Sequence, residues 1–282
     1  MDLIAETIEG YKDFLRVKYP SHYTLFCRRL DNNPESARAE GVIFSLFRSL
    51  VEDVKIAEDV VTGGPDFLCL SENAKFILEV TCLEGEAVAA QSGWPNGVPE
   101  DGVGGSFGMI THMLRTKVSE KTSQLSGYEM PRALAITSEH VGADTLLGPY
   151  SAETFLTSDT KIAVPLDVGE PITDKIHLTT DLKDSIFFRF KNGVVETCRR
   201  SISVIFLVSL FADKSLVVGV LHPDPQYEFP IRLLPSVPFL RMRKWPPEDR
   251  SVETEWVIHS PKSAPFYHQK VILRDKELRG TQ

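Results

Sequence analysis

The feature that most limits what this chain can fold into is a set of short apolar runs rich in Val, Ile and Phe. They are PDFLCLS at 65–71, AKFILEVTCL at 74–83, RALAITS at 132–138, SISVIFLVSLF at 201–211 and KSLVVGVLHP at 214–223. Runs of this length and branching suit strands of a covered sheet, because the pleat hands alternate side chains to each face and both faces here are apolar. Helical spacing lies between them. Leu3, Ile4, Ile8, Tyr11, Phe14 and Leu15 predict a helix over residues 1–20 that stops at Pro20. Asn33-Pro34 opens another through ESARAEGVIFSLFRSLVEDV, with Val42, Ile43, Leu46, Phe47 and Leu50 on one face. A further helix is predicted from Ile110 to Leu125, and a helical or irregular stretch leads to Phe155. Helices alternating with strands give an α/β (α+β) class: a mixed central sheet flanked by helices.

We expect a single domain over 1–282, with its core at about 35–220 and a proline-rich extension over 221–282 that holds one strand at EWVIH. Residues 84–108 interrupt the pattern with Gly, Pro and Ser and are expected to form a long loop of the kind that serves as a lid or mobile insertion. Gly102, Gly104, Gly105 and Gly108 lack the dinucleotide fingerprint spacing and do not directly follow a strand.

An apolar content of 42% in 282 residues supports a sizeable core, and a formal charge of -8 excludes a uniformly basic nucleic-acid coat. Any nucleic-acid role must rest on a local site. Cys27, Cys69, Cys82 and Cys198 show no paired spacing, so zinc and disulfide frameworks are not indicated. The acidic N-terminus lacks the apolar core of a secretory signal, and the run from Ile202 to Ala212 is short for a bilayer; the expectation is a cytoplasmic protein without a membrane partner.

Strand alternation puts Ile77, Glu79, Thr81 and Leu83 on one face and Phe76, Leu78, Val80 and Cys82 on the other. Glu79 thus needs a partner in a covered sheet. Asp66 begins the neighbouring strand, and a hairpin brings the two acids together. Carboxylates about 4 Å apart repel by roughly 4 kcal/mol at an effective dielectric of 20, a cost that a divalent cation removes. Magnesium fits, since it takes one or two carboxylates plus waters. The Val80 carbonyl could add an oxygen. The alternative is structural: Asp66 caps the turn after Gly63-Gly64-Pro65 while Glu79 pairs with a surface lysine.

Gly64-Pro65-Asp66 followed by Glu79-Val80-Thr81, with an acid-bearing helix before and a lysine-bearing helix after, resembles the PD-(D/E)xK nuclease superfamily. The likeness spans roughly residues 35–140. It implies a restriction-endonuclease-like core ordered helix, strand, strand, strand, helix, strand, and metal-dependent hydrolysis of phosphodiesters, with DNA as substrate, Mg²⁺ or Mn²⁺ as cofactor and a homodimer as the cutting unit. Thr81 stands where that motif keeps a lysine. In GMITHMLRTKVSEKTSQL, however, Ile110, Met113, Leu114, Lys117, Lys121, Gln124 and Leu125 share one broad face, so a lysine can arrive from this helix instead. Lys121 with Gln124 is the expected pair, and Lys117 the alternative one turn earlier. Glu35 or Glu40 could complete the metal site, Glu40 being better fixed at mid-helix.

The resemblance thus implies metal ligands Asp66, Glu79, Val80 and Glu40, and a lysine that orients water or stabilises developing charge. Loss of the strand lysine leaves a second expectation: a catalytically silent nuclease-fold module that binds nucleic acid or protein. A third is an α/β assembly protein with structural acids. Seven histidines show no metal-ligand spacing, and no nucleophile elbow or P-loop is present. Arg232, Arg241, Arg243 and Lys244 with Trp245 could contact a phosphate backbone.

Overall fold

The computed structural model describes residues 3–72, 74–97, 107–158, 161–163, 177–180, 182, 184–192, 194–211, 214–246, 251–257 and 269–273. Gly102, Gly104 and Gly105, with the middle of the expected 84–108 loop, lie outside them. The fold of the described residues is mixed α/β, and its centre is an 11-stranded sheet in the order β1 (Asp53–Ile56), β2 (Phe67–Ser71), β3 (Ala74–Leu83), β4 (Arg132–Ser138), β9 (Val204–Phe211), β10 (Lys214–Leu221), β11 (Phe239–Met242), β12 (Ser251–Val257), β13 (Gln269–Leu273), β6 (His177–Thr180) and β5 (Lys161–Ala163), with β7 (Phe188–Lys191) and β8 (Val194–Thr197) forming a separate pair.

Three helices open the chain: α1 (Leu3–Lys18), α2 (Pro20–Asn32) and α3 (Pro34–Leu50). Pro20 starts a helix as well as ending one, since its missing amide hydrogen costs nothing at a first helical position. The α3 start is fixed the same way by Pro34, with the Asn33 side chain accepting the Ser36 amide at 3.3 Å. α1 crosses α3 where Gly41 leaves room: a β-carbon there would meet Ile8 Cδ1 at 2.7 Å.

Next come β1 (Asp53–Ile56), β2 (Phe67–Ser71), β3 (Ala74–Leu83), α4 (Gly85–Ser92), α5 (Phe107–Thr122) and β4 (Arg132–Ser138). Strands β1, β2 and β3 run antiparallel in sequence, and β3 then pairs in parallel with β4. Two expectations are corrected here. Asp53 and Val54 belong to β1 and not to the preceding helix, and part of the expected loop, Gly85–Ser92, is helical because its alanines favour helix and the Glu35 carboxylate accepts the Gly85 amide at 2.7 Å.

After α6 (Ala143–Leu146), α7 (Pro149–Thr157), β5 (Lys161–Ala163), β6 (His177–Thr180), β7 (Phe188–Lys191) and β8 (Val194–Thr197), the strands β9 (Val204–Phe211) and β10 (Lys214–Leu221) form a hairpin beside β4. The segment expected to be an extension adds β11 (Phe239–Met242), β12 (Ser251–Val257) and β13 (Gln269–Leu273) to the same sheet. β11 pairs in parallel with β10, a contact that local periodicity does not disclose.

Two cores cover the sheet. Phe76, Leu78, Val80 and Cys82 pack with Ile8, Tyr11, Phe26, Phe44 and Phe47 of α1 to α3. Ile77, Leu83, Leu134 and Ile136 pack with Met113, Leu114 and Val118 of α5 and with α6 and α7. All residues of β4 are buried, as befits a strand with covering on both faces. The four cysteines are free, and no helix among the described residues is long and apolar enough to cross a membrane.

Candidate active site

The β2–β3 ladder ends at Phe67 opposite Leu78, so its register continues to Asp66 opposite Glu79. Glu79 faces the α5 side of the sheet with Ile77, and Asp66, just before β2, turns its carboxylate to the near edge of β3. The approach to Asp66 is set by a turn in which Gly63 and Gly64 have φ of +73° and +137°, conformations that glycine adopts without strain. Asp66 is not a turn cap. Its Oδ2 accepts the Val80 amide at 2.7 Å, an amide that β2 is too short to reach.

Glu79 is 3% exposed. Its Oε1 accepts a hydrogen bond from Lys121 Nζ at 2.7 Å, while its Oε2 is buried and has no hydrogen-bond partner among the described residues. Lys121 sits in the last turn of α5 with a quarter of its side chain exposed. Burial raises the Glu79 carboxyl above its ordinary range, and Lys121 and the nearby Asp66 amide oppose that shift. Burial, then repulsion from Glu79 and Glu40, raises Asp66 well above its ordinary range against the pull of the Val80 amide and Lys121. Glu79 thus pushes the proton affinity of Asp66 upward, and Glu58 does the same to Glu79, so the cluster is short of positive charge.

Glu40 lies beside them, from the helical face opposite α5. Its Oε1 accepts the Tyr11 hydroxyl at 2.8 Å, and its Oε2 is 2.7 Å from Arg29 Nη2, which is also 3.9 Å from Glu58 Oε2. Burial raises the Glu40 carboxyl, opposed by Arg29 and by the Tyr11 hydrogen bond. Glu58, Arg29 and Tyr11 escaped the sequence reading. Glu58 carried a faint signal, an acid in the turn that leads to Gly63-Gly64, but Arg29 and Tyr11 reach the site only through helix packing.

Other expected members lie elsewhere. α5 stops at Thr122, so Gln124 falls in the following turn and is exposed, off the inward stripe that a helix running to Leu125 would have given it. Lys117 is 40% exposed, 3.4 Å from Glu120, and lines a separate cleft of about 320 Å³ with Cys82, Glu84, Gln91 and His112. Glu35 is committed to the start of α4. Arg241 and Arg243 pair with Glu255 and Glu253 of the neighbouring strand, which removes them from a free cationic patch.

A divalent ion can be tested against these groups. Among the described residues no three His, Cys, Asp or Glu side chains gather closely enough to hold a metal by themselves. A hard ion of the magnesium type does not require that, since one or two carboxylates, a carbonyl and waters suffice. The unpartnered Glu79 Oε2 and the adjacent Asp66 supply two carboxylates. In a strand the amide and carbonyl of one residue point to the same edge, so the Val80 carbonyl lies on the Asp66 side with its amide. The donor set fits. No family model, curated protein or solved structure matches this chain.

Proposed function

We propose that this protein is a metal-dependent nuclease that hydrolyses phosphodiester bonds in DNA on a restriction-endonuclease-like core. The observation that carries the proposal is the state of Glu79: a carboxylate 3% exposed, bound on one oxygen by Lys121 at 2.7 Å and orphaned on the other, across from Asp66. Orphaned buried carboxylate oxygens are costly and rare unless a ligand completes them. The order α3, β1, β2, β3, α5, β4, with α4 as the one addition, is also the order that the family resemblance implies.

Asp66, Glu79 and the Val80 carbonyl would hold Mg²⁺ or Mn²⁺, which when bound supplies an activated water and charge for the scissile phosphate. Lys121 takes over the role of the lysine absent at Thr81: its ammonium, held by Glu79 and one-quarter exposed, orients the attacking water and faces the negative charge that develops on phosphate. Thr81, 8% exposed on the same strand face, is uncharged and cannot do either. Two copies acting together would cut both strands of a duplex.

Cleavage of supercoiled plasmid with Mg²⁺ or Mn²⁺ tests the proposal. Glu79→Gln and Lys121→Ala should each lower the rate by about 10²-fold or more while the fold persists. Wild-type rates in the Glu79→Gln protein would sink it. A wild-type protein that binds plasmid and never cuts it would instead favour the silent binding module, for which Thr81 is the motivating residue.

A further inference from the structure

The acids of the site fall into two sets with different partners. Glu79 keeps a buried oxygen without a hydrogen bond, whereas both oxygens of Glu40 are taken, one by Tyr11 and one by Arg29. Arg29 also lies 3.9 Å from Glu58, so one guanidinium stands between two carboxylates. Glu40 is 8% exposed, and a buried carboxylate is tolerable only with a counter-charge and hydrogen bonds. Arginine suits this duty because it stays charged at every working pH and its fork engages carboxylates in fixed geometry.

Both donors are delivered by the helices that precede the helix-strand-strand-strand order. Tyr11 comes from α1, wedged against Phe26 at 5.0 Å between ring centres, and Arg29 from the last turn of α2. Arg29 acts on Asp66 as well, whose negative charge helps to keep the guanidinium protonated. The cation therefore belongs to the same electrostatic unit as the proposed metal pocket.

We propose that Arg29 is the built-in second cation of this site: it pairs with Glu40 and stands 3.9 Å from Glu58, so that Asp66 and Glu79 take up one divalent ion and Glu40 is not a ligand. The inference rests on the metal-dependent reading above and adds the ion count and the charge arrangement. The phosphate would meet one ion, Lys121 and Arg29, in place of two ions.

Calorimetric titration of Mn²⁺ into the metal-free full-length protein reads the count directly. Wild type should bind one equivalent, and Glu40→Gln should bind one with an affinity within about threefold of wild type. Arg29→Gln should gain a second equivalent, since Glu40 and Glu58 lose their counter-charge, while Arg29→Lys should stay at one. Two equivalents in wild type, a single equivalent in folded Arg29→Gln, or a loss of more than about tenfold in Glu40→Gln would each overturn the inference. Two equivalents in wild type would leave the nuclease reading standing, whereas no binding in wild type would remove both. Should circular dichroism show that Arg29→Gln does not fold, Glu40→Gln decides, because glutamine retains an acceptor for Tyr11.

Discussion

Asp66→Asn separates the charge of this site from its geometry. Asparagine keeps an oxygen for the Val80 amide, 2.7 Å away, and loses the negative charge opposite Glu79. In the wild-type protein, burial and then the charges of Glu79 and Glu40 raise the Asp66 carboxyl well above its ordinary range. A carboxyl whose folded pKa exceeds its unfolded value binds its proton more tightly in the native state. Its contribution is therefore most favourable below the unfolded pKa and is lost as pH climbs through the folded one. Two unit charges about 4 Å apart repel by roughly 4 kcal/mol at an effective dielectric of 20. Lys121, 2.7 Å from Glu79, offsets part of that repulsion, and Asp66 is only part-buried, so the residual strain is about 1–2 kcal/mol. At pH 8 without metal, Asp66→Asn should be more stable than wild type by that amount, measured as a higher urea midpoint at unchanged slope. The gain should fade as pH falls toward about 4, where the wild-type group is itself protonated. Saturating Mn²⁺ should reverse the ranking, since only wild type keeps both carboxylates, and cleavage should be lost throughout. A metal-free variant less stable than wild type at pH 8, or a difference indifferent to pH, would refute the claim that these two acids strain each other.

Two further outcomes follow from contacts at and beyond the site. Lys117→Ala and Gln124→Ala should each leave plasmid cleavage within about twofold of wild type, because Lys117 faces Glu120 in another cleft and Gln124 is exposed; a hundredfold loss in either would mean that α5 contributes a different cation from the one assigned. Arg132 is 1% exposed, donates to the Leu125 carbonyl at 3.2 Å and to Gln226 at 2.6 Å, and lies over the Tyr227 ring at 5.2 Å. Replacing it with methionine should cost about 2–3 kcal/mol in urea unfolding, from two hydrogen bonds and the ring contact, and a cost under about 0.5 kcal/mol would contradict that sum.

Local chemistry explains which parts of this architecture could be read from sequence. β4 runs from Arg132 to Ser138 around its apolar centre at 133–136, as the sequence predicts, and the two faces of β3 divide as simple alternation requires, Leu78 and Val80 to one core and Ile77 and Leu83 to the other. The wheel of α5 brings Lys121 to the sheet because a helix fixes direction by spacing alone, yet it misjudged Gln124 by carrying the helix three residues too far. α2 is absent from the sequence reading although Tyr23, Phe26 and Leu30 recur at helical spacing and pack on the same core, because only Phe26 of them is fully buried and polar residues dominate the segment. Tyr11, Arg29 and Glu58 converge on Glu40 through the crossing of three helices and a turn, and contacts between residues 29 apart in sequence leave no periodic trace. The strand expected at EWVIH is the end of β12, whereas β11 and β13 have no local signal, since what makes them strands is an available edge on β10 and on β12.

The position of the site follows from a mismatch of strand lengths. β3 has 10 residues and β2 has 5, and the ladder between them covers only Ala74 to Leu78. Beyond Leu78 the far edge of β3 is still bonded by β4 through Leu83, but the near edge has backbone groups with no strand among the described residues to receive them. A bare strand edge invites pairing with another chain. Here Asp66 folds its carboxylate over the first open amide, at Val80, and in doing so brings a negative charge alongside Glu79, the first residue past the ladder. The hydrogen bond that seals the edge is thus the one that creates the electrostatic deficit, and Lys121 meets only part of it. Lengthening β2 would satisfy the same amide with the Pro65 carbonyl, but the register would keep Asp66 opposite Glu79, so the deficit would end only with an uncharged residue at position 66.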